Sequence, residues 1–258
     1  MFQKGDSTKT PCVDLRNVSM TFYSGDRVTD ALKDISFSVL EKEFVTLIGP
    51  SGCGKTTVLR IIANTINPTS GEVVILGDTP RNIRKKRQIG FVFQDPALLS
   101  WRTVINNINL PLEVMGKKDE GIKATDLLKL VGLDGFENHY PDEISGGMQQ
   151  RVSIARALSY NPTFLLMDEP FGALDLITRE KMGQELLHIC EKTEKTVLFV
   201  THSIEEAVLL SDKILVMSAR PSTIISQVDV DLPRPRDLNI RDDMEFIRLT
   251  KLLRDMLV

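Results

Sequence analysis

The segment FVTLIGPSGCGKT constrains the possible fold more than any other part of the chain. Phe44–Ile48 is a short, continuous apolar run, which is typical of a buried parallel strand. It leads into Gly49–Thr56, which matches the phosphate-loop pattern G-x-x-x-x-G-K-S/T, and a helical pattern, TTVLRIIAN, follows. A strand, a glycine-rich turn and a helix in this order predict an α/β fold with a largely parallel sheet.

Strand and helix patterns alternate along the rest of the chain, except in one stretch near its middle. Strand patterns lie at VDLRNVSMTF, ISFSVL, EVVIL, GFVFQ, FLLMDE, TVLFVT, KILVMS and TIISQVDV. We expect Glu41–Glu43 to form the hairpin turn after ISFSVL. Helical patterns dominate from about residue 95 to about residue 161, which predicts a helical insertion. We expect residues 1–11 to form a flexible leader, residues 12–233 the main domain and residues 234–258 a C-terminal helical tail.

The composition is that of an ordinary globular chain and excludes several classes of protein. The 258 residues are 42% hydrophobic and 26% charged, with a net charge of −3, so the overall charge does not favour binding to nucleic acid. The basic run at Ile83–Gly90 is interpreted as a solvated loop or strand edge rather than an anion site. Cys12, Cys53 and Cys190 are odd in number and far apart, which argues against a disulfide framework or a zinc site and for a reducing compartment.

The sequence carries no sign of secretion or of a membrane-spanning helix. The N-terminal MFQKGDSTKTPC is polar, and no apolar run approaches the roughly 18 residues that a spanning helix needs. We therefore expect the chain to be soluble by itself and to reach a membrane only through a partner.

The phosphate loop supplies the first candidate site residues. Lys55 is expected to bridge the β- and γ-phosphates of a nucleotide, and the Thr56 hydroxyl to bind Mg²⁺. The alternative is a tight strand–helix turn in which the lysine is incidental. Cys53 occupies a variable position of the pattern. The helix N-terminus and Lys55 would make its thiol reactive, whereas the alternative is an inert small residue that fits the turn, and its exposure decides between them.

Polar residues end three further strand patterns. Asp168 and Glu169 end FLLMDE, at the edge where α/β sheets bind their ligands. Asp168 suits Mg²⁺, through water, and Glu169 is placed to act as the general base on an attacking water. Gln94 ends GFVFQ and could bring an amide to Mg²⁺ and water, and His202 follows TVLFV and could donate to a γ-phosphate. Taken alone, each of these residues could instead be structural.

A second glycine-rich turn lies at ISGGMQQRVSIARAL, which begins at Ile144. A serine and two glycines precede a helix, so free backbone N–H groups meet a helix N-terminus, as in a phosphate-binding turn. No lysine follows the glycines to meet a phosphate. The chain therefore carries two phosphate-type turns, of which only the first has its lysine.

These motifs, in this order and at this spacing, resemble those of an ABC transporter ATPase from about residue 13 to about residue 232. ISGGM at Ile144 is similar to the signature motif of that family, and GALD at Gly172–Asp175 is similar to its D-loop. Gln94 takes the Q-loop position and His202 the switch-histidine position. The resemblance implies a P-loop NTPase of the ABC type, with a mainly parallel core sheet, an antiparallel β subdomain and a helical subdomain insertion. It also implies an ATPase that uses ATP and Mg²⁺ and releases ADP and phosphate.

The resemblance also assigns the site residue by residue. The implied catalytic residues are Lys55, Gln94, Glu169 and His202, and the implied metal ligands are Thr56, Gln94 and Asp168. The implied nucleotide-binding residues are Gly49, Pro50, Ser51, Gly52, Cys53, Gly54, Lys55, Thr56, Thr57, Ser145, Gly146, Gly147 and Asp175. Phe22 aligns with the aromatic residue that stacks on adenine, Tyr23 is its rival, and a core aromatic is the alternative for both.

In this family the signature turn completes the ATP site of a second subunit that faces the first head to tail. ATP then lies between Lys55 of one chain and Ser145–Gly147 of the other, so the second turn needs no lysine of its own. That turn contributes the Ser145 hydroxyl, glycine N–H groups and a helix N-terminus. The resemblance thus implies that ATP holds the dimer together and that hydrolysis loosens it.

Two positions depart from the usual pattern of the family. Met148 stands where the signature usually has Gln, and a thioether cannot replace the hydrogen bonds of an amide. The serine and both glycines are intact, so we expect activity to survive. ANTI at Ala63–Ile66 replaces a more usual Ala-Gly-Leu, and Asn tolerates the end of a helix.

Three segments are similar to those of the nitrate/sulfonate/taurine group of bacterial importers. They are ISGGMQQR, FQDPALLSW with Trp101, and VMSARP with VDVDLPRPRD.

The resemblance implies the motor subunit of such an importer, at the cytoplasmic face of the inner membrane. The implied partners are a second ATPase subunit (the same chain or a close paralogue), two transmembrane permease subunits and, indirectly, an extracytoplasmic solute-binding protein, with no nucleic acid. The helical insertion and the groove near Gln94 would receive a short helix from each permease. Soluble ABC ATPases of DNA repair or of ribosomes are the first alternative, but they resemble tandem cassettes or a cassette split by a long coiled coil. A non-catalytic nucleotide-binding module is the second, and Glu169 argues against it.

Overall fold

The computed structural model describes residues 11–25, 27–117 and 120–257. Of the leader expected at residues 1–11, the first ten residues lie outside this part of the chain, and Pro11 begins the first strand. The strands are β1 (Pro11–Ser24), β2 (Arg27–Leu40), β3 (Phe44–Ile48), β4 (Ser70–Ile75), β5 (Ile89–Val92), β6 (Phe164–Asp168), β7 (Thr196–Thr201), β8 (Lys213–Met217) and β9 (Ile224–Asp229). The helices are α1 (Lys55–Ile62), α2 (Pro80–Lys85), α3 (Val104–Val114), α4 (Ala124–Leu130), α5 (Gly146–Leu158), α6 (Leu176–Thr193), α7 (Ile204–Leu210) and α8 (Met244–Leu257), with short 3-10 turns at Pro141–Glu143 and Leu238–Asp242.

The strands form two sheets. Strands β5, β6, β7, β3, β8 and β9 lie side by side, in that order, in a sheet that is parallel except for β9, which runs antiparallel to β8. Strands β2, β1 and β4 form a separate antiparallel sheet. The predicted mainly parallel core sheet and antiparallel subdomain are therefore confirmed.

The turn at Glu41–Glu43 does not close a hairpin, so that prediction was wrong. β2 and β3 belong to different sheets, and the turn carries the chain from one to the other. The reason is burial. All five residues of β3 are buried, so this strand needs cover on both faces, whereas the second half of β2 alternates and pairs with β1. An ion pair of 2.6 Å between Glu43 Oε1 and Lys213 Nζ fastens the turn to the core sheet.

The apolar core lies on both faces of the parallel sheet, and β3 contributes to each. Phe44 and Ile48 belong to a cluster shared with α5, α6, α7 and α8, in which the ring centroid of Phe199 lies 5.7 Å from that of Phe44. Leu47 belongs to the other cluster, which α1 and the antiparallel sheet share. Because β3 is packed on both faces in the middle of the sheet, the loop after it is held at the carboxyl edge.

The helical stretch expected between residues 95 and 161 contains α3, α4 and α5. One helix was not expected, since α2 at Pro80–Lys85 takes in the first three residues of the basic run Ile83–Gly90. For those residues the interpretation as a loop or strand edge was wrong. The start of α2 has features that are common at helix N-termini. Thr79 accepts a hydrogen bond from the Asn82 N–H, and a proline lies in the first turn. In the described part of the chain, no helix has both the length and the apolar character to cross a membrane.

The segment LPRPRD attaches the C-terminal tail to the core through two arginines. Arg236 is buried, and its guanidinium donates to five backbone carbonyls, those of Val208, Leu209, Ser211, Val230 and Leu232. Burial lowers the pKa of Arg236 to about 10, which leaves it charged at neutral pH. Arg234 pairs with Asp212 and Glu191. The tail thus stabilises the end of α7, a helix that begins just after His202.

Replacement of Arg236 by methionine tests this attachment. Arg236→Met keeps an apolar stem and removes the charged donor from five carbonyls, so we expect the free energy of unfolding to fall by about 3 kcal/mol. Urea denaturation measures the change. Arg248→Met is the control, because Arg248 forms an exposed ion pair with Glu245 on α8 and its loss should barely move the midpoint. Equal losses in the two variants would contradict the attachment.

Candidate functional site

The phosphate loop joins β3 to α1 and requires glycine at two positions. Gly52 and Gly54 have φ values of 73° and 116°, in the left-handed region that other residues avoid. A Cβ on Gly54 would also lie 2.7 Å from Cδ2 of Leu32, a residue of β2. The antiparallel sheet therefore packs directly on the loop, and the backbone conformation at position 54 favours glycine.

Lys55, the first residue of α1, turns back into the curve of the loop. The residue is only 5% exposed. Its Nζ donates to the carbonyl oxygens of Gly49 at 2.8 Å and Pro50 at 3.1 Å. An ammonium group held by neutral carbonyls can exchange them for the stronger charged acceptors of a phosphate, so the geometry suits the predicted phosphate contact.

Sequence reasoning did not single out Arg220, which lies beside the loop. A Cβ on Gly52 would lie 3.7 Å from Nη2 of Arg220. Arg220 and the loop residues Pro50–Cys53 line a cavity of about 300 Å³. The sequence could have indicated this position, because Arg220 lies in VMSARP, just after β8. β8 runs parallel to β3 and pairs with it, so the segments that follow the two strands lie close together. Arg220 thus adds a second positive group near the loop.

Cys53 is buried within the same loop. It is 1% exposed and belongs to the cluster between α1 and the antiparallel sheet. Cys12 and Cys190 are also free and buried, and burial raises the pKa of Cys12 to about 11 and that of Cys190 to about 12. The structure supports the inert alternative for Cys53 and contradicts a thiol that reagents can reach.

Three neighbouring strands carry the remaining candidate side chains to one edge of the sheet. β5, β6 and β7 are parallel and adjacent, and the register places Asp168 opposite Val200. The candidate residues that follow the three strand ends are Gln94, Glu169 and His202. Because the carboxyl ends of parallel strands meet at one edge, these side chains converge beside the phosphate loop.

Thr56 and Asp168 are joined by a hydrogen bond. Thr56 Oγ1 donates to Oδ1 of Asp168 at 3.0 Å, which brings a hydroxyl from α1 to a carboxylate at the end of β6. Burial raises the pKa of the Asp168 carboxyl, the bond from Thr56 opposes this rise, and the charge of Glu169 adds to it. Two oxygen groups of this kind at one point are a fragment of a site for a hard cation.

Glu169 and His202 form a second pair at this edge. Oε2 of Glu169 lies 3.2 Å from Nδ1 of His202. Glu169 has a φ of 46°, which is uncommon for a residue with a side chain, and its N–H donates to the Val200 carbonyl at 3.0 Å.

Gln94 lies against the start of the GALD segment. A Cβ on Gly172 would be 3.0 Å from Nε2 of Gln94 and 3.3 Å from the carbonyl oxygen of Glu169. The Gly172 N–H donates to that same carbonyl at 3.0 Å. Glycine at position 172 therefore leaves room for the Gln94 amide beside Glu169.

The second glycine-rich turn caps α5 and touches the start of α6. Ser145 Oγ accepts a hydrogen bond from the Met148 N–H at 3.3 Å. A Cβ on Gly147 would lie 2.9 Å from Cγ2 of Thr178. Asp175 caps α6 by accepting from the Thr178 N–H at 3.0 Å, and these hydrogen bonds lower the pKa of Asp175. In a single chain, Asp175 therefore acts as a helix cap beside the turn.

Met148, the departure from the usual signature, is partly buried and packs against the core. Its contribution to the helix cap comes from its backbone N–H, which any residue except proline could supply. The neighbouring Gln149 donates to the carbonyls of Pro141 and Ile144. The cap is thus independent of the side chain at position 148.

Comparison with known proteins supports the family resemblance that these motifs indicated. The sequence model of the ABC transporter family matches residues 32–172. The chain is 46% identical to the aliphatic sulfonates import ATP-binding protein SsuB of Bacillus cereus, over 88% of this chain and 89% of the relative. It is 47% identical to the taurine import ATP-binding protein TauB of Rhizobium johnstonii, over 81% and 79% of the two chains. The chain belongs to the ABC transporter ATP-binding family. The resemblance seen in the sequence, including that to the sulfonate and taurine group, is confirmed.

Solved structures of ABC transporter cassettes have the same fold as this chain. A dimeric structure of the bacterial ABC transporter cassette MJ0796 matches the chain with a TM-score of 0.72 at 37% identity, and covers 86% of this chain and all of the other. The same cassette is known in a post-hydrolysis state bound to ADP and Pi. The predicted P-loop NTPase fold of the ABC type is confirmed, and the chain is an ABC ATPase that binds ATP.

Thiol labelling of this ABC ATPase tests the buried position of Cys53. We expect a maleimide to leave all three cysteines of the folded chain unmodified, because each is buried, and to label all three in denaturant. Mass spectrometry of the peptides identifies which cysteine has reacted. Rapid labelling of Cys53 in the folded chain, prevented by prior addition of MgATP, would contradict the burial.

Proposed function

We propose that this ABC ATPase is the motor subunit of an importer for a small sulfonate or taurine-type solute, or a related one such as nitrate. It works as a dimer, with itself or with a close paralogue, on two permease subunits at the cytoplasmic face of the inner membrane, and an extracytoplasmic protein delivers the solute. The observation that carries the proposal is the edge where Thr56, Asp168, Glu169 and His202 meet beside the phosphate loop. Relatives named for sulfonate and taurine import support the class of solute.

In this proposal the phosphate loop binds the β- and γ-phosphates of ATP. The Lys55 ammonium exchanges the carbonyls of Gly49 and Pro50 for phosphate oxygens. The N-terminus of α1 adds its N–H groups and the positive end of its dipole. Arg220, near Gly52, raises the positive potential at the same end of the nucleotide.

Phe22, rather than Tyr23, stacks on the adenine ring. The two side chains are 40% and 72% exposed, which argues against a core role for either. Met20 on β1 pairs with Leu32, the residue that contacts the phosphate loop at Gly54. Phe22 lies one residue nearer than Tyr23 to this point on β1, although the β1–β2 register shifts between Met20 and Thr21. This nearer position supports Phe22.

Magnesium fits the oxygen groups of Thr56 and Asp168. Among the described residues there is no cluster of three or more His, Cys, Asp or Glu side chains able to hold a metal by themselves. Mg²⁺ characteristically takes one or two protein ligands and completes its shell with water and phosphate oxygens, so this small donor set suits it. When bound, the ion neutralises charge on the β- and γ-phosphates. Thr56 and Asp168, the latter through water, would hold the ion, and the amide of Gln94 would add a polar group from the segment after β5.

Glu169 accepts the proton of the attacking water, and His202 orients this carboxylate. The contact from Nδ1 of His202 to Oε2 of Glu169 is 3.2 Å. With Nδ1 facing Glu169, the second ring nitrogen of His202, Nε2, is the group that this proposal directs to the γ-phosphate.

The signature turn serves the ATP of a second subunit. Ser145 and Gly146 are exposed at the N-terminus of α5, where a partner's nucleotide can reach them. Gly147 is buried against Thr178, so the turn is braced by the start of α6. The dimer of the related cassette MJ0796 supports a dimeric arrangement here.

An apolar groove beside the Gln94 segment suits a helix of the permease. It has a volume of about 480 Å³ and is lined by Arg60, Ala63, Thr65, Ile66, Arg84, Ile89, Phe91 and Phe93. The rings of Phe91 and Phe93 stack at 4.2 Å, and half of Phe93 is exposed. An apolar floor with two arginines favours a short helix that carries apolar side chains and a carboxylate.

Trp101 is exposed and lies in a turn that the buried Asn107 holds, seven residues after Gln94 in the sequence. Asn107 is fully buried and accepts from the Leu99 N–H at 2.8 Å. Its amide also donates to the carbonyls of Leu99, Arg102 and Thr103. A fixed and exposed indole is typical of a protein contact, so Trp101 is assigned to the permease surface.

Glu169→Gln tests the general base. The amide keeps the size of the side chain and cannot take the proton of water, so we expect ATP binding to persist, kcat to fall about a hundredfold or more, and an ATP-bound dimer to accumulate. Uptake of taurine and of an alkanesulfonate by the assembled transporter should fall in parallel. Glu180→Gln, which removes a carboxylate paired with Arg241, is the control and should keep kcat. Near-normal turnover by Glu169→Gln in the complex would refute the assignment.

Mixing two damaged chains tests the shared site. In a head-to-tail dimer of a Lys55→Ala chain with a Ser145→Arg chain, one ATP site carries both lesions and the other carries neither, whereas each homodimer has two damaged sites. We expect ATP to drive association in the mixture beyond that of either variant alone, measured within the full transporter complex. Sites that are complete within one chain predict no such recovery, so an unresponsive mixture would count against the head-to-tail geometry.

A further inference from the structure

The signature helix α5 is bonded on one side to the segment that carries Gln94. Gln150 is 1% exposed, and its Nε2 donates to the carbonyl oxygen of Phe93 at 3.2 Å. Phe93 directly precedes Gln94. A buried amide of α5 therefore holds the backbone from which the Gln94 side chain extends.

A second contact holds the other side of the same segment. Arg156, also on α5, donates to the carbonyls of Pro96 at 2.5 Å and Ala97 at 2.8 Å. Gln94 thus lies between two points at which the backbone is tied to one helix. Because an α-helix is stiff over this length, the Gln94 segment and α5 move together.

We propose that Gln150 is a positioning residue that couples the two ATP sites of the dimer, by tying Gln94 of one site to the signature turn of the other. This rests on the proposed function, since it requires the head-to-tail dimer. The N-terminus of α5 presents Ser145–Gly147 to the partner's ATP, and Gln150 lies just over one turn further along the helix. A movement of Gln94 toward its own γ-phosphate therefore displaces the turn that binds the partner's γ-phosphate.

A purely structural role for the amide predicts a different result. A buried donor that only satisfies a carbonyl affects stability, and its loss would act independently of Gln94. Tyr160 provides a matched comparison, because its hydroxyl donates to the carbonyl of Ile89 at 2.9 Å, at the opposite end of β5. Tyr160→Phe removes another side-chain hydrogen bond to a backbone carbonyl, at the start of β5 and away from Gln94.

A double-mutant cycle in the assembled transporter distinguishes the two roles. Gln150→Met keeps the length of the side chain and removes the donor, and we expect kcat to fall about five- to tenfold. The Hill coefficient for ATP should fall toward that of independent sites. In a Gln94→Ala background the same substitution should change kcat by less than about twofold, because Gln150 acts through Gln94. Tyr160→Phe should lower the melting temperature similarly and keep both kcat and the Hill coefficient.

Several outcomes would overturn the proposal. One is a loss of kcat in the double mutant equal to the product of the two single losses. Another is an unchanged kcat and Hill coefficient in Gln150→Met. Either result would show that Gln150 contributes only to packing. Gln150→Leu, a second variant without the donor, should reproduce the cycle if Gln150→Met does not fold. A wild-type complex without cooperativity in ATP would refute the shared-site dimer itself, whereas a cooperative wild type with a cooperative Gln150→Met variant would refute only the coupling through Gln150.

Discussion

The burial of β3 in the middle of the parallel sheet determines where the rest of the candidate ATP site can lie. All five of its residues are buried, and it pairs with β7 and β8 on its two sides. The register places Ile48 opposite Thr201, so Gly49 and His202 leave adjacent strands at the same level. A slip of one residue would move the loop by about 3.3 Å relative to His202, which exceeds the tolerance of a hydrogen bond. Packing of an apolar strand therefore sets the geometry of a polar site.

In the described part of the single chain, Lys55 and Asp168 are not paired with each other. Lys55 is held by the carbonyls of Gly49 and Pro50, and Asp168 is held by the neutral hydroxyl of Thr56. Burial and the neighbouring Glu169 both raise the pKa of Asp168, so the carboxylate form is disfavoured where a cation would stabilise it. A ligand that brings both phosphates and a cation satisfies the two halves of the site at once. The positions of these groups are fixed in advance, which is the condition for electrostatic stabilisation during a reaction.

The sequence predicted the features whose residues are contiguous in the chain. A strand, a glycine loop and a helix are contiguous at Phe44–Ile62, and the acid pair directly ends its strand, so the residues at the edge could be named without coordinates. What could not be read was the assignment of strands to sheets. Glu41–Glu43 looks like a hairpin turn because strand patterns flank it, and only tertiary packing separates those strands. The direction of the Cys53 side chain and the place of Arg220 beside Gly52 also depend on packing between distant segments. The bond from Gln150 to Phe93 spans 57 residues and has no local signal at all.

The first turn of α5 shows how such distant contacts restrict movement. Successive residues on a helix point about 100° apart, so residues that are adjacent in sequence contact different parts of the structure. Met148 packs against the core, Gln149 bonds the turn that precedes the helix, and Gln150 bonds the Gln94 segment. Ser145 and Gly147 add a cap and a close contact to Thr178. In the proposed dimer, a turn held by so many contacts would reach the partner's ATP only when α5 and the elements bonded to it move as a body. Any force that ATP exerted on the turn would then be transmitted to the helical insertion and to the surface beside Gln94.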